Sequence, residues 1–141
     1  MAGKKILIAD DEARLRKLVS DYLVREGYEV LEAADGEQAL DIFYREKDLS
    51  LMILDVMMPG VDGFMVCKEV RETSQIPIVM LTAKSEENDI LNGYEYGADE
   101  YIPKPFSPKI LVAHVNAIIR RTSDADDGNK DLLEAGGIVI D

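Results

Sequence analysis

Apolar and polar positions along this chain fall into repeated blocks, each predicting one strand followed by one helix. The clearest strand lies in Leu49-Ser50-Leu51-Met52-Ile53-Leu54-Asp55-Val56-Met57-Met58-Pro59-Gly60, an apolar run that stops on a carboxylate and then breaks at Pro-Gly. A short apolar run bounded by turn signals fits a strand covered on both faces, although a buried helix segment has the same periodicity. Pro59-Gly60 ends it either way. Lys4-Lys5-Ile6-Leu7-Ile8-Ala9 repeats the design and runs into Asp10-Asp11-Glu12. Leu15, Leu18, Val19, Tyr22 and Leu23 then share one face of a helix that Gly27 can stop. Tyr28–Ala33 reads as the second strand, and Asp35-Gly36 opens a helix with Ala39, Leu40 and Phe43 inward.

After Asp55, Phe64, Val66, Cys67 and Val70 predict a short amphipathic helix, and Ile76–Leu81 a fourth strand ending on Thr82. Ser85 caps a fourth helix with Ile90, Leu91 and Tyr94 on its apolar face. Glu100–Pro103 is a short fifth strand that ends on Lys104, and Ser107-Pro108 starts a last helix with Leu111, Val115, Ile118 and Ile119 inward. Regular β-α alternation argues for an α/β fold, a parallel sheet with helices on both faces and right-handed crossovers. If the strand order is 2-1-3-4-5, strands one and three flank the switch point where ligands bind, which brings Asp10 and Asp11 beside Asp55. Thr82 and Lys104 arrive from the next two strand ends.

That convergence changes how each residue reads. Asp10-Asp11 alone suits a solvated strand end or helix cap, Thr82 a turn hydroxyl, and Lys104 a surface charge. Together, three carboxylates repel by roughly 1 kcal/mol per pair at 4 Å in water, and a divalent cation relieves the repulsion. Magnesium takes one or two carboxylates, keeps several waters and completes its shell with phosphate oxygens. No His or Cys sits at the strand tips, which argues against zinc. Asp55 is a possible nucleophile forming an acyl phosphate, with Lys104 and Thr82 available to other phosphoryl oxygens. The inferred chemistry is phosphoryl transfer onto Asp55.

Composition narrows the partners. The 141 residues suffice for one core plus a tail, and a formal net charge of −12 repels nucleic-acid backbones and anionic lipids. Cys67 is the single cysteine, and it reads as a core residue; no basic-then-apolar leader or membrane-length apolar run is present. A cytoplasmic protein is expected, with no membrane contact and no direct DNA binding by this region.

From Lys4 to Arg121 the chain resembles the receiver domains of bacterial two-component response regulators. The resemblance is carried by Ile8-Ala9-Asp10-Asp11-Glu12, Leu54–Gly63, Leu81-Thr82-Ala83-Lys84 and Gly97–Phe106, in that order. It implies a flavodoxin-like (βα)5 doubly wound sheet of order 2-1-3-4-5, shared with chemotaxis receivers. It also implies that Asp55 accepts phosphate from a sensor histidine kinase or a small phosphodonor. Mg²⁺ would be bound by Asp11, Asp55 and the Met57 backbone carbonyl, with Asp10 holding a metal-bound water. Thr82 and Tyr101 would act as the switch, altering the surface of the fourth helix, fifth strand and fifth helix. Lys104-Pro105 would be cis. Such a module is a signalling receiver rather than a conventional enzyme, although it catalyses its own phosphoryl transfer and autodephosphorylation.

The tail suggests a subclass. Residues 1–121 would form the receiver, 122–131 a polar linker, and 132–141 the opening strand of a truncated winged-helix effector domain. That pattern is similar to the DNA-binding OmpR/PhoB-like subfamily, whose parent proteins control transcription. Members dimerise on phosphorylation through cross-subunit ion pairs on the fourth-helix, fifth-strand, fifth-helix face. Here Ile90 and Ile110 replace one such pair, and His114 stands where an arginine usually meets the acidic position held by Glu100. Asp99 and Arg121 would remain available for another pair. A homodimer with fewer ion pairs is expected, and DNA contact would fall to the missing C-terminal domain. The chief rival, an aspartyl-nucleophile phosphohydrolase, needs a second acid two residues after the nucleophile, where this chain has Met57. A nucleotide-binding reading fails for want of either glycine-rich phosphate motif.

Overall fold

The computed structural model describes residues 4–82 and 97–135, with side chains as far as residue 122. Five parallel strands, β1 (Lys5–Ala9), β2 (Glu29–Ala33), β3 (Leu49–Asp55), β4 (Ile78–Thr82) and β5 (Glu100–Pro103), form one sheet of order β2-β1-β3-β4-β5. Helices α1 (Ala13–Arg25), α2 (Gly36–Arg45) and α3 (Gly63–Arg71) connect them, and a C-terminal helix spans Pro108–Ala135. The parallel sheet expected from the alternation and the 2-1-3-4-5 order implied by the resemblance are both observed. The fourth predicted helix, and Ile90 with it, lies outside the described residues.

The inner strands β1, β3 and β4 are apolar along most of their length because both faces of the sheet are covered there, whereas the edge strands β2 and β5 carry Glu29, Glu32 and Glu100. Ile6, Ile8, Leu51, Ile53, Val79, Leu81 and Ile102 pack with Val19 and Leu23 of α1 and Leu111, Val115 and Ile118 of the C-terminal helix. The alternate residues Leu7, Ala9, Met52, Leu54, Ile78 and Met80 pack with Ala39 and Ile42 of α2 and Val66, Cys67 and Val70 of α3. Successive side chains of a strand point to opposite faces, so one uninterrupted apolar run fills two cores. Cys67 is buried there as a free thiol, as expected of a core residue.

Local chemistry sets the helix starts. Asp35 accepts from the Gln38 N–H at 2.8 Å, while the Gln38 side chain returns a bond to the Ala34 N–H, a reciprocal cap on α2. Asp62 caps α3 by accepting from the Met65 N–H at 2.9 Å. Gly27, with φ +96°, turns the chain out of α1 in a conformation that a side chain would oppose.

Two expectations are corrected. Leu18, placed on the inner face of α1 by its spacing, is 43% exposed. Val19 and Leu23 are buried in the core with the sheet and the C-terminal helix, and Leu15 and Tyr22 pack partly against it, so the apolar stripe is wider than the surface that covers it. The polar stretch 122–131, expected to be a linker, is helical and continues the C-terminal helix to Ala135, so residues 132–135 are not the strand expected there. No proline follows Pro108, and the single Gly128 costs a helix only about 1 kcal/mol, so polar composition alone does not end it. Residues 136–141 lie outside the described residues.

Candidate functional site

Strand register assembles the site. Ala9 pairs with Leu54, so Asp10 and Asp55 follow side by side from β1 and β3, where the connection reverses direction. Asp55 pairs with Leu81, placing Thr82 one step beyond, and Thr82 pairs with Pro103, one step before Lys104. A staircase of strand ends thus delivers Asp10, Asp55, Thr82 and Lys104 to one edge. Asp11 joins them from the turn after β1: carboxylate oxygens of Asp10, Asp11 and Asp55 lie within 4.8 Å of one another.

Asp10 is fully buried and held on every side. Its N–H donates to Ala33 O at 3.1 Å, its Oδ1 accepts from the Glu12 N–H at 2.8 Å, and its Oδ2 lies 3.1 Å from Lys104 Nζ. The same ammonium stands 3.3 Å from Asp55 Oδ2. Asp55 Oδ1 accepts from the Met57 N–H at 3.2 Å. Asp55 is only 3% exposed, whereas Asp11 is open to solvent. One face of the cluster is thus fixed and dry, and the other wet.

Burial, reinforced by the neighbouring Asp10 carboxylate, pushes the Asp55 carboxyl up to about 6; Lys104 and the Met57 amide oppose this without cancelling it. Burial pulls the Lys104 ammonium down, but Asp55 and Asp10 outweigh that effect and leave it raised. Among the described residues, one cation, Lys104, faces two buried acids, which leaves negative charge in excess. The donor set is all oxygen, contains one exposed carboxylate and has a side open to water, which fits a magnesium-sized hard cation and not zinc.

Gly63 closes the floor. A Cβ there would lie 2.5 Å from the Asp55 carbonyl oxygen, so the loop after β3 can fold back beneath Asp55 only with glycine at this point. Thr82 is buried at the adjacent strand end. Tyr101 is half-buried and packs against the core on the α2-α3 face of the sheet. The Met57 side chain is 68% exposed at the mouth. Lys104-Pro105 is a cis peptide, as the resemblance implied.

Residues expected at a dimer face also have partners within the chain. Asp99 Oδ2 lies 3.0 Å from Arg71 NH2 and accepts from the Ile78 N–H at 2.8 Å. Glu100 and His114 form a pair within the chain, Nδ1 to Oε2 at 3.1 Å. Ile110 and Arg121 are exposed. One residue at the site escaped the sequence reading altogether: Arg16 of α1, whose NH1 donates to the Asp10 main-chain oxygen at 2.6 Å and whose Nε donates to Glu32 Oε1 at 3.0 Å. Its only sequence signal is a cation in the first turns of a helix, where the dipole disfavours it.

A doubly wound sheet opening on three carboxylates and a lysine defines a class of phosphoacceptor signalling modules. The response regulator receiver domain model matches residues 6–116, and the chain belongs to that family. It is 48% identical over 139 residues to the probable transcriptional regulator ycf27 of Porphyridium aerugineum, covering 99% of this chain and 57% of that protein. It is 45% identical over 142 residues to the transcriptional regulatory protein ResD of Bacillus subtilis, covering 97% and 59%. Both relatives are named as transcriptional regulators, and this chain spans little more than half their length. A two-component response regulator from Clostridium difficile superposes with a TM-score of 0.81 at 33% identity, over 84% of this chain and 98% of that one.

Proposed function

We propose that this receiver accepts a phosphoryl group on Asp55 from a sensor histidine kinase and thereby controls a longer transcription regulator. The observation that supports this reading most directly is Asp55 itself: a buried carboxylate beside Lys104, in a cluster with Asp10 and Asp11 that still carries excess negative charge. An Asp55 oxygen attacks phosphorus, the P–N bond to the kinase imidazole breaks, and the imidazole nitrogen leaves with the bonding pair and takes up a proton. The product is an acyl phosphate on Asp55. Asp11, Asp55 and the Met57 carbonyl would hold Mg²⁺, with Asp10 on a metal-bound water. When bound, the ion offsets charge on the carboxylates and on the phosphoryl oxygens. Lys104 neutralises a second phosphoryl oxygen, and Thr82 donates to a third. Loss of the phosphoryl group to water would be catalysed by the same residues.

The switch would couple Thr82 and Tyr101 to the surface formed by β5, the C-terminal helix and the fourth predicted helix. Phosphorylation would favour the conformation of that surface that dimerises. Ile90 and Ile110 would supply an apolar contact, with Glu100, His114 and Arg121 around it and Asp99 recruited only if it leaves Arg71. Residues 132–141 would lead into a DNA-binding domain, so nucleic-acid contact would lie outside this receiver. Among the described residues no helix is long and apolar enough to cross a membrane; a cytoplasmic site of action is part of the proposal.

Intact mass after incubation with acetyl phosphate, with and without Mg²⁺, tests the core of the reading. A single magnesium-dependent phosphate, absent from Asp55→Asn, is the expected result. Wild-type protein that gains no phosphate and fails to bind beryllofluoride would overturn it.

A further inference from the structure

Asp10 and Asp11 differ in how they are held. Among the described residues, hydrogen bonds or ion pairs meet every polar group of Asp10, while none fixes the exposed Asp11 carboxylate. The position of Asp11 therefore depends on the peptide that joins it to Asp10. That unit is planar, so the direction of the Asp10 carbonyl sets the Asp11 N–H and Cα as well. Arg16 is the group that holds this carbonyl, at 2.6 Å.

Arg16 stands where a helix does not favour a cation. A guanidinium near the start of α1 meets the positive end of the helix dipole, a local cost. Helical side chains lean towards the N-terminus of their helix, which aims Arg16 back at the end of β1. There Nε is fixed by Glu32 Oε1 on β2 at 3.0 Å, leaving NH1 on the Asp10 oxygen. The side chain is 18% exposed. A strained local choice clamped between two elements, with one end on the backbone of an acidic site, is the kind of exception expected where function sets the residue.

We infer that Arg16, oriented by Glu32, is a positioning residue that sets the divalent-cation affinity of the Asp10-Asp11-Asp55 cluster by locking the Asp10-Asp11 peptide. The inference rests on the proposal that this cluster holds Mg²⁺. Without Arg16 the peptide plane can rotate about its flanking bonds, and Asp11 samples positions away from the cluster. Asp55 and Lys104 are held by β3 and β5 and keep their places.

The test uses the whole 141-residue chain as Arg16→Gln, Arg16→Lys and Glu32→Gln, with Mg²⁺ binding followed by calorimetry and Asp55 phosphorylation by acetyl phosphate followed across Mg²⁺ concentrations. Loss of a partner beyond the metal ligands costs roughly 10–100-fold in affinity. Arg16→Gln should raise the Mg²⁺ Kd by about tenfold, at the low end of that range because Asp10 and Asp55 stay in place. The rate at saturating Mg²⁺ should match wild type, Arg16→Lys should recover part of the affinity, and Glu32→Gln should show a smaller loss. In an Asp11→Asn background, Arg16→Gln should add no further loss, because both act through one carboxylate. An unchanged Kd with only a lower Tm, or a lower saturated rate at unchanged Kd, would overturn the inference. Arg16→Lys carries the same comparison if the glutamine variant does not fold. Wild-type protein that binds no Mg²⁺ would overturn the metal reading together with this one, a result distinct from a variant that binds as wild type does.

Discussion

Replacing Asp55, the proposed phosphoacceptor, should make the metal-free protein more stable at neutral pH. Asp55 has an ordinary carboxyl value of 3.8 in an unstructured chain and about 6 in the fold. The folded state therefore holds the Asp55 proton more tightly than the unfolded one, and ionisation is what folding opposes. The penalty is absent well below pH 3.8, grows as pH rises from there and is complete above about 6. Two pH units at roughly 1.4 kcal/mol each set a ceiling of about 3 kcal/mol. Water at the open side of the cluster and salt reduce that to about 1–2 kcal/mol. Asp55→Asn removes the penalty while keeping shape and one hydrogen-bond acceptor. Urea unfolding in chelator at pH 8 should place the variant that far above wild type with the same m-value. Near pH 5, still above the sequence pI of about 4.5, the gap should shrink to about half. A variant less stable than wild type at pH 8, or a gap equal at both pH values, would refute the assignment of Asp55 as a strained, partly desolvated acid. Mg²⁺ provides an internal control: at ten times its Kd it should stabilise wild type by about 1.4 kcal/mol and the variant far less.

Gly63→Ala should lower stability by about 1–3 kcal/mol and slow phosphorylation, because the new Cβ meets the Asp55 carbonyl oxygen at 2.5 Å and backbone must move; unfolding curves and the acetyl phosphate rate check both. The dimer proposed for the phosphorylated receiver should keep its affinity within a few-fold between about 50 mM and about 500 mM salt, measured by sedimentation, because Ile90 and Ile110 are apolar and Asp99 is engaged by Arg71 within the chain. A steep loss with salt would show that cross-subunit ion pairs dominate.

The sheet and its acidic edge were legible in the sequence for a common reason. Parallel strands buried on both faces are apolar without interruption, so a carboxylate such as Asp55 or a lysine such as Lys104 at the end of a run marks where the strand leaves the core. Strand order then aligns those ends without any knowledge of side-chain contacts. Leu18 was misread because periodicity defines the stripe a helix offers and not the width of what covers it. The C-terminal helix outran its expected end because polar residues read as a linker also propagate a helix when no proline intervenes. The intrachain partner of Asp99 left no sign in the sequence because Arg71 lies 28 residues earlier, a distance that no local pattern reports.

Arg16 belongs to a different category. Motifs mark side chains that do chemistry on one another, and Asp10, Asp55 and Lys104 are of that kind. Arg16 acts on a main-chain oxygen, and every residue carries one, so the acceptor leaves no trace in the sequence. What can be read is the cost: a cation near the start of α1, where the dipole opposes it, and a glutamate on β2 at the strand edge to hold it. The acidic cluster needs both kinds of residue. Side chains from the strand ends supply charge, and a backbone clamp decides whether the exposed Asp11 stays close enough to add to it.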